Sequence, residues 1–255
     1  AVRQLKWEIG HNCMVVHLTF LPFLSTTGEL KTKPTQHSVK LLLESGVQPD
    51  VLVCRAEHAL NKDIRRKLAL FCNVEVDAVI EARDASSIYE VPLLMEKEHL
   101  DAIVLKKLGL DASSTQVDLA QWKQFLHKLH HPKKEVKIGL IGKYVELKDS
   151  YKSISEAFVH AGAVNECKVV VEWIHSENLT EENIAEKLKG LKGILVAPGF
   201  GSRGIEGKIL TIKYARENNI PFLGICLGMQ CAVIEFARNV VGLKDAHSRE
   251  MNPAT

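Results

Sequence analysis

Apolar positions in the second half of the chain fall into short, β-branched runs separated by stretches of helical period. Residues 136–141, 169–174, 194–196 and 221–225 are too short for helices and read as strands buried on both faces. Between them Ile154, Ala157, Phe158 and Ala161, then residues 181–188, then Ile205, Ile209 and Ile212 recur as one face of a helix would. Such alternation predicts a parallel sheet with right-handed crossovers and helices on both faces. The first half reads similarly but less regularly. Residues 15–21, 51–54 and 76–80 predict strands, whereas Val39, Leu42 and Leu43, then residues 64–71, then the long stretch 86–108 predict helices. Residues 110–117 are small and polar; Leu119, Trp122, Leu126 and Leu129, with Phe125 beside them, then resume a helical period that His130-His131-Pro132 ends. The expectation is an α/β chain of two parallel-sheet domains, 1–112 and 135–255, joined by a linker (113–134) carrying one amphipathic helix.

Composition narrows the function. Of 255 residues 46% are hydrophobic and 25% charged, an ordinary globular balance. With 33 Lys+Arg against 31 Asp+Glu the net charge is +2, too even for a chain that coats nucleic acid electrostatically. No apolar run approaches the roughly 18 residues of a membrane span, and the first ten residues lack a signal-peptide layout. A cytoplasmic protein with neither nucleic-acid nor membrane partners is expected. The cysteines at 13, 54, 72, 167, 226 and 231 form no Cys-x-x-Cys pair and no Cys/His cluster, so reduced thiols and no metal site are expected. The opening Ala-Val-Arg, without an initiating Met, suggests a fragment.

One thiol stands apart. Gly224-Ile225-Cys226-Leu227-Gly228 follows a predicted strand and precedes an apolar helix containing Met229, Ala232, Val233 and Phe236. A strand turning sharply into a helix strains its turn residue, and glycines two positions to either side relieve collisions; this is the nucleophile elbow, with thiol replacing hydroxyl. The helix amino terminus beneath it favours negative charge and offers the Leu227 amide to an oxyanion. Without those flanks Cys226 would read as one more buried thiol, as Cys231 does. A second glycine-rich loop, residues 197–204, follows the strand at 194–196 at the same carboxyl edge, where ligands of parallel sheets bind.

The segment Gly224-Ile225-Cys226-Leu227-Gly228-Met229-Gln230, with Pro198-Gly199-Phe200-Gly201 upstream, resembles the class I glutamine amidotransferases. Lys143-Tyr144-Val145-Glu146-Leu147-Lys148-Asp149-Ser150-Tyr151-Lys152-Ser153 is similar to the CTP synthases in particular. So are Gly28-Glu29-Leu30-Lys31-Thr32-Lys33-Pro34-Thr35-Gln36-His37-Ser38-Val39, Ala69-Leu70-Phe71-Cys72-Asn73-Val74 and Ser86-Ser87-Ile88-Tyr89, in collinear order. The resemblance implies a synthetase half like P-loop dethiobiotin synthetases and an amidotransferase half. It implies that Cys226 attacks glutamine, that Gly199 and Leu227 amides hold the oxyanion, and that Phe200, Gln230 and Glu250 grip the substrate. It further assigns Lys31, Thr32, Lys33, Gln36 and Lys67 to UTP or inhibitory CTP, Arg55 and Asp84 to ATP, and the Asp149–Lys152 turn to a GTP activator. Mg²⁺ would accompany ATP, held by residues outside this chain, and the assembly would be a homotetramer.

Three departures accompany the match. Ala197-Pro198-Gly199 stands where the family pattern is Pro-Gly-Gly. The family's His-x-Glu pair is absent, since only His247 follows the elbow, in His247-Ser248-Arg249-Glu250. No Gly-x-x-x-x-Gly-Lys-[Ser/Thr] loop occurs, and Gly139-Leu140-Ile141-Gly142-Lys143-Tyr144 has its glycines too close together to be one. The chain by itself is therefore expected to hydrolyse glutamine very poorly. Alternative readings are an amidotransferase component of another ligase, a Cys peptidase of similar fold, or a non-catalytic nucleotide-binding or assembly module. Residues 31–39 argue against the first two, which need no pyrimidine pocket.

Overall fold

The computed structural model describes residues 1–110 and 117–255. The polar segment at 111–116, and with it the predicted boundary at 112, lies outside the described residues. The chain divides into two compact units, 1–121 and 122–255.

The first unit runs α1 (Val2–Ile9), β1 (Val16–Leu21), β2 (Phe23–Leu24), β3 (Glu29–Leu30), α2 (Lys33–Glu44), β4 (Val51–Ala56), α3 (Lys62–Cys72), β5 (Val79–Arg83), α4 (Val91–Lys97) and α5 (Leu100–Lys107). Strands β1, β4 and β5 form a parallel sheet in the order β1-β4-β5, and β2 and β3 pair as a short antiparallel ribbon. Successive side chains of a strand point to opposite faces. Accordingly Leu52 and Cys54 pack with Val39, Leu68 and Cys72 on one face, whereas Val51 and Val53 pack with Ile80, Met95 and Ile103 on the other.

In the second unit α6 (Ala120–His130), which straddles the division, leads to β6 (Lys134–Gly142), α7 (Lys152–Val164), β7 (Cys167–His175), α8 (Ile184–Lys187), β8 (Gly193–Val196), α9 (Ile205–Glu217), β9 (Phe222–Gly224) and α10 (Leu227–Phe236). The four strands are parallel in the order β7-β6-β8-β9. Ile141 and Val196 face α9 and α10, with Ile209, Ile212 and Leu227. Their neighbours Leu140 and Leu195 face α7 and Tyr151. The α/β architecture with parallel sheets is the one the pattern predicts.

Four expectations need correction. Residues 76–78 form a 3-10 turn, closed by Ala78 N–H donating to Glu75 O, and the strand begins only at Val79. The stretch 86–108 is broken into a 3-10 turn (Ile88–Glu90), α4 and α5. The Ser87 hydroxyl caps Tyr89 N–H, Pro92 opens α4, and His99 takes a left-handed φ of 56° between the helices. Of 181–188 only one turn is helical, because the Asn183 side chain accepts from Thr180 N–H and donates to Asn178 O instead. Finally, not every strand is buried on both faces: β8 is, but β9 lies at a sheet edge with Phe222 and Leu223 exposed.

Candidate active site

The carboxyl ends of β8 and β9 bring the two glycine-bearing loops together. In register Val196 pairs with Gly224, so the chain leaves both strands at one level. Cys226 follows at φ 53°, ψ −106°, a strained conformation for a residue with a Cβ, and α10 begins at the next residue. Ile225 N–H donates to Val196 O at 3.1 Å, tying the elbow to β8, and Gly228 N–H donates to Ile225 O at 2.9 Å. The flanking glycines are sterically required. A Cβ on Gly224 would lie 2.6 Å from the Gly228 carbonyl carbon, and one on Gly228 would lie 2.2 Å from Val196 O. Cys226 is exposed, whereas Cys231, one turn on, is buried and its thiol is pushed up to about 11 by burial, Lys208 opposing and Glu206 adding.

Opposite the elbow, Gly199 approaches Leu227: a Cβ there would sit 3.5 Å from Leu227 Cδ2 and 3.1 Å from Lys143 Cε. Phe200 is 77% exposed beside it. Gln230 Nε2 donates to Glu250 Oε2 at 2.9 Å, and Gln230 Oε1 is buried with no protein partner. A polar atom left so, next to an exposed carboxylate, is ready to receive a donor. His247 Nδ1 accepts from Ser248 N–H at 3.0 Å. Pattern reading passed over two lysines here. Lys143 Nζ donates to Phe200 O, and the wholly buried Lys208 donates to Ala197 O at 2.8 Å. The signal for Lys208 was its place on the stripe of Ile205, Ile209 and Ile212.

In the first unit, Lys31 pairs with Glu29, whose carboxyl lies below the ordinary range through the bond to Lys31, the charge of Lys31 and, more weakly, Lys67. Lys31 and Lys67 thus act on one acid. Thr32 is buried and its hydroxyl accepts from Gln36 Nε2 at 3.2 Å, while Lys33 is exposed in the first turn of α2. Arg55 Nε donates to Asp84 Oδ1 at 3.0 Å, and both line a cavity of about 300 Å³ walled by Leu18, Val53, Ala82, Ile88 and Met95. Asp149 and Lys152 lie exposed on the turn into α7, where Lys152 Nζ pairs with Glu156 at 2.7 Å.

Residues 1–110 match the family model described as CTP synthase N-terminus, and residues 146–254 that described as Glutamine amidotransferase class-I. The CTP synthase of Flavobacterium psychrophilum is 65% identical over the whole chain, and that of Cytophaga hutchinsonii 63%. Over its whole length the chain is similar to part of these CTP synthases. It spans about half the length of these relatives, 48% and 47% respectively. Among solved structures, one titled "Trypanosoma brucei CTPS - glutaminase domain with bound acivicin" is 41% identical over 46% of each chain, with a TM-score of 0.44.

Proposed function

We propose that the chain is the central part of an ATP-dependent CTP synthase that takes its nitrogen from glutamine, with 1–112 belonging to the synthetase domain, 113–134 to the linker and 135–255 to the amidotransferase domain. The observation that carries this is the exposed Cys226 at positive φ between Gly224 and Gly228. Its Sγ attacks the glutamine carboxamide carbon; the S–C bond forms as the carbonyl electron pair moves to oxygen, held by the Gly199 and Leu227 amides. Collapse breaks the C–N bond, the thiol proton leaves with ammonia, and water then cleaves the thioester to glutamate and free thiol. Glu250 pairs with the substrate ammonium while Gln230 and Phe200 hold its body. The base for these transfers is not among the residues after the elbow, which lack a His-x-Glu pair.

The first unit uses that ammonia. ATP phosphorylates the uracil O4 of UTP, and ammonia displaces the phosphate to give CTP. Lys31, Lys33 and Lys67 receive the triphosphate of UTP or inhibitory CTP, Thr32 and Gln36 the base edge, and the Arg55–Asp84 cavity the adenine of ATP. GTP activates at the Asp149–Lys152 turn. Mg²⁺ accompanies ATP, but among the described residues no three His, Cys, Asp or Glu side chains converge to hold a metal, so no step here runs through it. The enzyme is a cytoplasmic homotetramer without nucleic-acid or membrane partners; no helix among the described residues is long and apolar enough to cross a membrane. In the full-length enzyme, Cys226→Ala abolishes glutamine-dependent CTP formation and leaves synthesis from free ammonia. Loss of both together would overturn the division of labour.

A further inference from the structure

Two buried ammonium groups hold the loop that follows β8. Lys208 of α9 is fully buried and donates to Ala197 O at 2.8 Å; Lys143, 3% exposed at the end of β6, donates to Phe200 O. The carbonyls on either side of Pro198 and Gly199 are thereby anchored. Ala197 N–H is already committed to Ile141 O at 2.9 Å. Pro198 has no N–H and a fixed φ. Gly199 is consequently the first amide that this loop can offer to a ligand beside Leu227.

A lysine costs stability when buried without a carboxylate. Burial pushes Lys208 down to about 8, the charge of Lys143 acting the same way and Cys231 and Cys226 opposing. An apolar side chain would fill this position at lower cost, as Ile205, Ile209 and Ile212 do on the same face. The ammonium therefore needs a role beyond packing, and its hydrogen bond to Ala197 O names it.

We propose that Lys208 is a positioning residue for the thiol site: by fixing the carbonyl of Ala197 it sets the peptide entering Pro198, and through it the Gly199 amide, where glutamine's oxygen turns negative on attack by Cys226. This deepens the amidotransferase reading and rests on it. The hydrogen bond to the Ala197 carbonyl is the contact through which Lys208 acts on the loop.

The test uses the full-length enzyme with Lys208→Met, close in length and apolar, and Lys208→Gln, which keeps an N–H donor. Removing an oxyanion donor outright costs about 10²–10³ in kcat, so loss of its support should lower kcat for glutamine hydrolysis about tenfold in Lys208→Met. KM for glutamine should stay within about threefold, because the ground-state carboxamide is neutral. Ammonia-driven CTP synthesis should be unchanged, and Lys208→Gln should recover at least half of the lost rate on a logarithmic scale. Glutamine turnover of Lys208→Met within twofold of the parent overturns the proposal. So does a parallel fall of the ammonia-driven reaction, since the damage is then not confined to the loop. Absence of glutamine hydrolysis in the unaltered enzyme counts instead against the amidotransferase reading itself, and the inference falls with it.

Discussion

At the scale of single residues, the elbow depends on what its glycines lack. Gly228 meets Val196 O at 2.2 Å from where a Cβ would stand, and Val196 belongs to a fully buried strand that cannot move aside. Gly228→Ala should therefore cost more than about 3 kcal/mol, the upper range of overpacking, measured by urea unfolding of the chain. Gly201, at φ 74° with nothing near its missing Cβ, is the control: Gly201→Ala carries only the left-handed penalty, about 1 kcal/mol. Equal losses at the two positions would show that the close approach at the elbow is not what demands glycine. Both glycines were visible as sequence punctuation, but only packing separates them. Lys208 shows the converse limit, because a lysine within an isoleucine stripe reads as a break in pattern until its carbonyl partner is known.

At the scale of elements, the strands were legible wherever β-branched residues run together, because burial on a parallel sheet leaves little room for anything else. Residues 86–108 read as one helix in sequence because the period of α4 nearly continues into α5, and nothing apolar marks His99 as a hinge. What fixes that hinge is long-range. Arg65 of α3 donates to Glu98 Oε2 at 2.8 Å and Oε1 at 3.0 Å, and Glu98 also accepts from Glu81 N–H at 2.8 Å. Burial pushes the Glu98 carboxyl up, but the bonds from Arg65 and the Glu81 amide, with the Arg65 charge, outweigh it and hold the group below its ordinary range. A depressed carboxylate contributes stability above its unfolded pKa and loses it as pH falls through the folded value. Glu98→Gln should cost about 2 kcal/mol at pH 7, the worth of a charge-assisted bond, and the gap from the parent should close below about pH 4, the ordinary carboxylate range. Unfolding midpoints compared at pH 7 and at about pH 2.5, below the ordinary carboxylate range, decide it, and a gap independent of pH would reject the ionic account.

For the whole molecule, the two units should answer alkali differently, because their buried titrating groups differ in sign. In the first, burial pushes the Cys54 thiol up to about 12, neighbouring Cys72 adding to it and Arg65 opposing, and burial pushes Cys72 up to about 11. Between the ordinary thiol value near 9 and these values the folded unit binds more protons than the unfolded chain, so its stability falls as pH rises. The second unit holds one such thiol, Cys231 at about 11, but also Lys208 at about 8. Between 8 and about 10.4, the ordinary lysine value, the folded unit binds fewer protons through Lys208, and that contribution rises with pH. The opposing slopes should leave the second unit nearly level from pH 8 to 10 while the first weakens. Pulse alkylation in urea, read by mass spectrometry at Cys54 and Cys72 against Cys231, reports the two unfolding midpoints separately. Lys208→Met should make the second unit weaken with pH, and Cys54→Ala should roughly halve the slope of the first, because the Cys72 thiol at about 11 remains. If Cys231 protection instead fell with pH as steeply as Cys54 protection in the unaltered chain, Lys208 would have to be charged throughout this range, and its ammonium would be better solvated than its burial between β8 and α10 allows.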